Sequence, residues 1–229
     1  MRIAVVDYHK GNLKSVERGL VAAGAEAFVT DNAADLAHAD ALVLPGVGAF
    51  ADASASMQAL GQMEVIRDRV AAGIPFLGIC LGMHLLFEEG VEGSPQEDDE
   101  QSTHNAPGLA ILPGVVTALP RTDAQGKSYK IPHVGWNSID VAAPTSQGTE
   151  QAGFDNPLLE GIQPGEFFYF THGYVAPDTP CTVATTAHSI AFPSVVAYKN
   201  TFGAQFHPEK SSDAGAVLLR NFVNIVREG

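Results

Sequence analysis

The sequence predicts an α/β protein built on an open, mostly parallel sheet with helices on both faces and with added antiparallel or mixed strands. Two observations support this fold class. In the N-terminal third, short apolar runs rich in β-branched residues alternate with helical segments, as in βαβ units. Between residues 109 and 206, strand-like runs follow one another with frequent Gly, Pro and Asn breaks. Because a hydrophobic fraction of 45% suffices for one large core, we expect a single domain over residues 1–229.

The parallel part of the sheet is expected from four apolar runs and the helices that separate them. The first helix carries apolar residues at helical spacing and ends at Gly24, a residue type that favours a helix C-terminus. The predicted strands are residues 2–7, 25–29, 41–44 and 74–80. The predicted helices are residues 11–24, 33–37, 49–72 and 81–88.

The second half of the chain is expected to add strands and one closing helix. The predicted strands lie near residues 109–119, 131–141, 166–171, 182–187, 192–199 and 201–206, and an amphipathic helix covers 214–226. Three polar stretches, 90–107, 121–127 and 144–153, are expected to be surface loops. The acidic run 97–100 in the first of these is not expected to bind a metal, because four adjacent carboxylates cannot all face one ion.

Charge and composition argue against several kinds of function. With 13 basic and 26 acidic residues the formal net charge is −13, which disfavours nucleic acid and anionic membrane surfaces as partners. No apolar run approaches the roughly 20 residues that a membrane span needs. Two cysteines make no disulfide framework or Cys-x-x-Cys metal pattern, and the N-terminus has no signal-peptide pattern. We therefore expect a cytoplasmic protein with free thiols and no metal site.

The stretch 78–82, Gly-Ile-Cys-Leu-Gly, is the centre of the predicted chemistry. It lies where a buried strand runs straight into an apolar helix. A cysteine between two glycines at such a corner has the layout of a nucleophile elbow, because the glycines let backbone segments pack closely and the turn lifts the side chain above the sheet edge. The N-terminus of the following helix favours a thiolate. Taken alone, the stretch is equally compatible with a buried structural cysteine.

A second group of reactive residues follows the predicted strand at 201–206. His207 stands at the strand end, Pro208 stops the ladder, and Glu209 shares a face with His207 because residues i and i+2 of an extended segment do so. A cysteine nucleophile, a histidine base and an orienting carboxylate suit activated acyl transfer. A satisfied histidine at a strand end is the simpler alternative for His207. Catalysis is favoured because Cys80 and His207 both follow strands at the edge where open α/β sheets place their sites.

Backbone amides suited to binding an oxyanion are expected beside Cys80. The stretch 45–48, Pro-Gly-Val-Gly, ends the neighbouring strand and offers the amides of Val47 and Gly48. The amide of Leu81 follows the nucleophile directly. Taken alone, Pro-Gly-x-Gly is more typical of a plain tight turn.

Together these motifs resemble the Cys-His-Glu triad of class I glutamine amidotransferases, whose fold has a flavodoxin-like core. Four stretches narrow the resemblance to the glutaminase subunits of imidazole glycerol phosphate synthase, in histidine biosynthesis. They are 45–50 (Pro-Gly-Val-Gly-Ala-Phe), 132–137 (Pro-His-Val-Gly-Trp-Asn), 169–172 (Tyr-Phe-Thr-His) and 205–211 (Gln-Phe-His-Pro-Glu-Lys-Ser). The resemblance covers residues 2–226 except the polar loops, and 132–137 is the stretch most specific to this subunit family.

The resemblance implies that Cys80 attacks the side-chain amide of glutamine, His207 transfers protons and Glu209 orients His207. Ammonia then leaves, and water hydrolyses the glutamyl thioester to glutamate. In the family, ammonia passes to a separate (β/α)8-barrel cyclase subunit, which forms imidazole glycerol phosphate and an aminoimidazole carboxamide ribonucleotide. A heterodimer with such a subunit is therefore expected, with glutamine as substrate and no cofactor.

The resemblance also implies roles for residues outside the triad. The stretch 45–48 corresponds to the family's oxyanion strand, where a flip of the Val47 amide would complete the hole when the partner carries its ligand. The family places its partner interface at the positions of Trp136, Asn137, Tyr169 and Lys210. Taken alone, these residues are more typical of a core aromatic pair and of solvated polar side chains.

Two positions depart from the family pattern. His84 stands where the family usually has a glutamine that helps hold the substrate. We expect His84 to replace that glutamine as a hydrogen-bond donor, although it could instead compete with His207 for the thiolate. Gly173 stands where the family tends to have a small hydroxyl residue. A backbone contact from Gly173 and Tyr174 to the α-groups of glutamine would survive this change.

Two other functions remain open from the sequence. One is another class I amidotransferase, such as the glutaminase partner in pyridoxal phosphate synthesis. The other is a non-catalytic partner that keeps the fold and binds a barrel protein without hydrolysing glutamine, for which His84 and Gly173 are the only support.

Overall fold

The computed structural model describes residues 1–95, 104–142 and 153–229, and it confirms the predicted α/β fold. The strands are β1 (Arg2–Val6), β2 (Glu26–Thr30), β3 (Ala41–Gly46), β4 (Phe76–Cys80), β5 (Phe87–Gly90), β6 (Ala106–Pro107), β7 (Leu112–Ala118), β8 (His133–Ser138), β9 (Asp140–Val141), β10 (Phe167–His172), β11 (Tyr174–Val175), β12 (Thr182–Ala187), β13 (Ala191–Tyr198) and β14 (Thr201–Ala204). The helices are α1 (Leu13–Ala22), α2 (Ala33–Ala37), α3 (Phe50–Ala59), α4 (Gln62–Ala71), α5 (Leu81–His84) and α6 (Ser212–Glu228). The acidic run 97–100 and most of the stretch 144–153 lie outside the described residues.

The main sheet has eight strands in the order β2-β1-β3-β4-β14-β13-β12-β9. The five strands from β2 to β14 are parallel, and β13, β12 and β9 extend them in antiparallel fashion. Among the described residues, β8 and β10 form a separate antiparallel pair, and β11, β7, β5 and β6 form a mixed sheet. The expected antiparallel and mixed additions are therefore confirmed.

Helices cover both faces of the parallel strands, as expected. Ile3 and Val5 of β1 pack into a core that includes side chains of α1 and α6. Ala4 and Val6 of the same strand pack on the other side, against side chains of α2, α3 and α4. Because both faces are buried, the strands read as continuous apolar runs rather than as alternating ones.

The predicted helix 49–72 is wrong in one respect, because the segment forms two helices, α3 and α4. Gly61 lies between them with φ +67°. This left-handed conformation ends the first helix, and glycine adopts it at little steric cost.

The predicted helix 81–88 is also wrong beyond its first turn. Only α5 is helical, and the following residues form β5, which pairs with β6 and β7. Every residue from 81 to 87 is buried, so the segment has no polar face, and a short apolar run without periodicity fits a helix or a strand equally well. The segment from residue 87 onward is a strand because its backbone pairs with β6 and β7.

Smaller differences affect element boundaries. The strand at 41–44 continues to Gly46, which pairs with Cys80 at the end of β4. The strand at 131–141 divides into β8 and β9, residues 106–107 of the predicted loop 90–107 form β6, and the final helix is longer at both ends than predicted. Among the described residues, no helix combines the length and apolar character that crossing a membrane requires.

The elbow between β4 and α5 depends on two close backbone contacts. A Cβ atom at Gly82 would overlap the carbonyl oxygen of Leu44 in β3, and a Cβ atom at Gly78 would overlap the carbonyl oxygen of Gly82. Both contacts involve backbone atoms that have no rotamer with which to move away. Glycine is thus required at both positions for the helix to start directly above the strand ends.

Replacing Gly82 by alanine is therefore expected to lower the free energy of unfolding by about 1–3 kcal/mol, because the added methyl group displaces packed backbone. Urea denaturation followed by circular dichroism measures this. Gly173→Ala is the matched control, since its Cβ would meet nothing closer than 3.8 Å. Equal stabilities of the two variants would contradict the proposed packing constraint.

Candidate active site

Cys80 lies at the last position of β4 in a conformation that non-glycine residues rarely adopt, with φ +54° and ψ −110°. Such strain persists only where the surroundings enforce it, and it is common at functional sites. The residue is 6% exposed. The sequence predicts that the N-terminus of the following helix stabilises a Cys80 thiolate. That helix, α5, is a single turn long.

His207 and Glu209 form a buried pair directly after β14. Nδ1 of His207 donates a hydrogen bond of 3.0 Å to Oε1 of Glu209, and the two side chains are 2% and 1% exposed. The amide of Asn12 also points at this oxygen, at 3.4 Å. The turn that holds the pair is fixed by Ser211, whose hydroxyl donates to the His207 carbonyl at 2.7 Å.

Cys80 and His207 are close enough to interact. Burial alone lowers the pKa of His207, but the neighbouring Cys80 and the hydrogen bond with Glu209 outweigh burial and raise it to about 9. Nε2, the ring nitrogen not bonded to Glu209, is buried and has no hydrogen-bond partner among the described residues. The structure thus brings the three residues of the predicted triad near one another, and within the described part of the chain the hydrogen bond among them is that between His207 and Glu209.

A cavity of about 390 Å³ opens beside the sulfur. It is lined by Cys80 together with all six residues predicted to bind substrate or oxyanion: Val47, Gly48, Leu81, His84, Gly173 and Tyr174. Among the described ranges, larger cavities lie elsewhere; one of about 540 Å³ borders Arg67, Gly73 and Asn200 and contains no cysteine.

The predicted oxyanion stretch lies above a buried tyrosine that the sequence analysis missed. A Cβ atom at Gly46 would overlap the hydroxyl oxygen of Tyr8, so the ring supports this strand end from below. Burial and then the nearby Cys80 raise the pKa of Tyr8 well above its usual range, while the backbone of Val47 opposes the shift. Gly48 has φ +98°, a conformation that leaves the Val47–Gly48 peptide free of Cβ hindrance.

His84 lines the cavity, but its hydrogen-bond partner, Gln205, is a buried residue that does not line it. Its Nε2 lies 2.7 Å from Oε1 of Gln205, and Nε2 of Gln205 lies 3.8 Å from the sulfur of Cys80. Burial lowers the pKa of His84 to about 4, against a smaller opposing effect of Gln205. Gln205 therefore stands between His84 and Cys80, and a neutral His84 has one proton to donate.

A chain of hydrogen bonds runs through the buried histidines His172 and His133, and His172 lines the cavity. Nδ1 of His172 donates to the Tyr174 carbonyl at 2.9 Å, so Nε2 of His172 accepts from Nδ1 of His133 at 3.1 Å. Nε2 of His133 in turn faces the amide of Asn137 at 3.3 Å. Burial is the main cause that lowers the pKa of His133 to about 4 and that of His172 to about 3.

The predicted interface residues divide between the two sides of the β8–β10 pair. Trp136 and Tyr169 face each other across the ladder, with ring centroids 6.1 Å apart, and the ammonium of Lys210 lies 5.9 Å from the Tyr169 ring. Trp136 is 51% exposed. The Asn137 side chain points inward instead and donates to the Ala187 carbonyl at 2.9 Å.

Several residues of the site gave no recognisable signal in the sequence. Asn12 and Tyr8 lie in the loop after β1, far from Cys80 in the chain, and only the fold brings them near it. Gln205, His133 and His172 stood in family-like stretches without an assigned role. Among the described residues, no group of three or more His, Cys, Asp and Glu side chains is arranged to hold a metal ion.

The fold and this constellation match one family. Residues 4–226 match the model of a family described as glutamine amidotransferase class-I. A crystal structure of a glutamine amidotransferase is similar with a TM-score of 0.68 at 19% identity, covering 98% of each chain, and the structure of PurLQS from Thermotoga maritima gives 0.64 at 19%, covering 97% of each. At these identities the structures support the fold alone. Fold, elbow and family model together define a class I glutamine amidotransferase, the family to which this chain belongs.

Relatives of higher identity narrow the assignment. Three proteins named imidazole glycerol phosphate synthase subunit HisH are similar over nearly the whole chain. That of Caldanaerobacter subterraneus subsp. tengcongensis is 40% identical and covers 98% of each chain. That of Syntrophotalea carbinolica is 42% identical over 96% of this chain and 98% of the relative, and that of Salinibacter ruber is 41% identical over 95% and 92%. Within the family, the chain belongs with the HisH subunits of imidazole glycerol phosphate synthase.

The buried neutral histidines are expected to make stability depend on pH. His172 has a folded pKa of about 3 against an ordinary value of 6.5, so the unfolded chain binds its proton first as pH falls. The free energy of unfolding should therefore drop below pH 6.5, by about 1.4 kcal/mol per pH unit for this residue, until the folded state is protonated as well. Urea unfolding at pH 7, 6 and 5 measures the slope.

The His172→Gln variant should lose about that share of the slope, whatever its absolute stability. Exposed His38 is the matched control, and His38→Gln should keep the slope of the original protein. A slope unchanged in His172→Gln would contradict the predicted neutral state of this residue.

Proposed function

We propose that this chain is the glutaminase subunit of an imidazole glycerol phosphate synthase and that Cys80, His207 and Glu209 hydrolyse glutamine. The single observation that carries the proposal is the buried His207–Glu209 pair, which lies close to a cysteine at a strained elbow. We further propose that residues 1–229 form one amidotransferase domain and that the protein is cytoplasmic, a location that suits an enzyme with a free thiol as nucleophile.

In the proposed first step, the thiol proton of Cys80 passes to Nε2 of His207. The raised pKa of His207, to about 9, favours this transfer, and the Glu209 carboxylate stabilises the resulting imidazolium. The thiolate then attacks the side-chain carbonyl carbon of glutamine and forms a tetrahedral oxyanion. The amides of Val47, Gly48 and Leu81 are the proposed oxyanion donors, because these residues line the same cavity as the sulfur.

Collapse of the oxyanion breaks the carbon–nitrogen bond. His207 returns its proton to the leaving nitrogen, which departs as ammonia and leaves a glutamyl thioester on Cys80. Water then attacks the thioester with His207 accepting one of its protons, and glutamate leaves as the thiol is restored. The reaction consumes glutamine and water, produces glutamate and ammonia, and needs no cofactor.

The rest of the cavity is proposed to hold the amino-acid end of glutamine. Gly173 and Tyr174 line the same cavity as Cys80, and Gly173 lacks the hydroxyl that the resemblance leads us to expect. A backbone contact from these residues does not need that hydroxyl. We propose that His84 contributes an edge of its ring to the same end of the cavity.

The outer face of the β8–β10 pair is proposed to bind the barrel cyclase subunit. Val134, Trp136 and Phe167 are each more than half exposed and lie on this face with Tyr169. Large apolar residues clustered on an exposed sheet face are typical of a protein interface. Strand β10 is hydrogen-bonded to the turn that carries His207, because the Tyr169 carbonyl accepts from the His207 amide at 2.9 Å. Docking at this face would therefore act directly on His207.

Replacing Cys80 by alanine is expected to lower glutamine hydrolysis by at least about a thousandfold, because the nucleophile is lost. Glutamate release, measured with the barrel subunit and its nucleotide ligand present, tests this. Cys181→Ala removes the other free cysteine, which is half-buried away from the cavity, and should keep full activity. Glutamine hydrolysis by Cys80→Ala at a rate comparable to that of Cys181→Ala would contradict the proposal.

Replacing Trp136 by alanine is expected to weaken binding of the barrel subunit by about thirtyfold, as for a central aromatic residue of an interface. Titration calorimetry between the two purified subunits measures the dissociation constant. Tyr198→Ala is the matched control, because Tyr198 is 44% exposed but pairs with Thr201 near the start of β4, at the opposite sheet edge. Similar dissociation constants for both variants would place the interface elsewhere.

A further inference from the structure

The sulfur of Cys80 has a second polar neighbour on the protein side of the cavity besides His207. Gln205 is completely buried, and its amide nitrogen lies 3.8 Å from the sulfur. The sulfur also lies 3.8 Å from the Thr171 carbonyl oxygen, which can only accept a hydrogen bond. Gln205 supplies a donor and Thr171 an acceptor to the same atom.

These two neighbours respond in opposite ways when the thiol ionises. The thiol donates its proton to Thr171, and this bond is lost when the proton leaves. The carbonyl oxygen then faces a negative sulfur, whereas an N–H of Gln205 becomes a charge-assisted donor. Of the two, Gln205 is the neighbour that favours the thiolate over the thiol.

The orientation of the Gln205 amide is decided by His84. Oε1 of Gln205 lies 2.7 Å from Nε2 of His84, and both side chains are buried. With Oε1 as the acceptor, Nε2 of His84 carries the proton of the neutral imidazole, and the amide nitrogen of Gln205 faces Cys80. The reversed amide would set an oxygen against the thiolate and would require the other tautomer of His84, so the thiolate and the Nε2–H tautomer favour the same amide orientation.

We infer that Gln205 is a further catalytic residue, which donates a hydrogen bond to the Cys80 thiolate, and that His84 is a positioning residue that holds the Gln205 amide in the donating orientation. The inference rests on the proposed function, since it concerns the same nucleophile. The glutamine expected at the position of His84 could perform the same task, because its side-chain amide also carries an N–H donor.

The test measures the ionisation of Cys80 without using glutamine. In a Cys181→Ser background, the rate of alkylation by iodoacetamide is followed between pH 5 and pH 9 by mass spectrometry of the Cys80 peptide. Alkylation reports the thiolate fraction. The titratable groups around Cys80 include His207, Tyr8 and, behind Gln205, His84, and a change at Gln205 leaves all three in place.

Gln205→Met keeps the side-chain length but removes the donor. We expect its alkylation rate at pH 7 to fall about tenfold, because a smaller fraction of the thiol is ionised without the donor. Gln62→Met is the matched control, because Gln62 is equally buried and donates only to the carbonyls of Asp7 and Asp31. Its alkylation profile should match that of the Cys181→Ser background even where its melting temperature falls.

His84 is tested by two substitutions. His84→Gln can still donate to Gln205 and should keep the alkylation rate within about twofold, whereas His84→Met cannot donate and should shift the profile in the same direction as Gln205→Met. Because both residues act through one contact, the double variant should shift the profile no further than Gln205→Met alone. Additive shifts would overturn the positioning role of His84.

A profile of Gln205→Met that superimposes on the background profile would overturn the inference. If Gln205→Met does not fold, as judged by circular dichroism, Gln205→Asn replaces it, because the shorter amide draws the donor away from the sulfur and predicts a shift of the same sign. A different result would contradict the proposed function itself. In that case glutaminase activity would persist in Cys80→Ala, whatever the alkylation profiles show.

Discussion

The close packing of α5 on β3 is the constraint on which the site depends. Because the backbone of Gly82 touches the Leu44 carbonyl, the chain must turn upward within one residue, and Cys80 takes up the strain at φ +54°. The same turn sets Cys80 in register with Gly46, which lies in the proposed oxyanion stretch. The proposed nucleophile and the proposed oxyanion donors are therefore placed by one packing contact rather than by two independent ones.

A second constraint connects the site to the proposed partner surface through a single strand. β10 carries Tyr169 on its outer face and contributes Thr171 and His172 to the cavity wall. Its backbone is bonded twice to the turn that carries His207, at the His207 amide and at the Ser211 hydroxyl, which accepts from the Tyr169 amide at 3.0 Å. If the barrel subunit docks as proposed, a single strand, β10, connects its binding surface to the proposed base His207.

Much of this architecture could be predicted because local sequence and tertiary structure agree. The apolar runs of β1, β3 and β4 are buried on both faces, and α2 and β12 fall at the predicted residues. Prediction was wrong where burial removed the periodic signal. Residues 81–87 are buried on all sides, and pairing with β6 and β7, which follow in the chain, made residues 87–90 the strand β5.

The sequence by itself determined the α/β order, the elbow and the residue types of the proposed triad, because these depend on short-range patterns: glycines flanking a cysteine, and a carboxylate two residues after a histidine. The tertiary structure alone decided which distant side chains complete the site. Asn12 reaches Glu209 across 197 positions, and His84 reaches Gln205 across 121. Contacts of that separation leave no local pattern, since their geometry is fixed by how strands order in the sheet and not by the residues beside them.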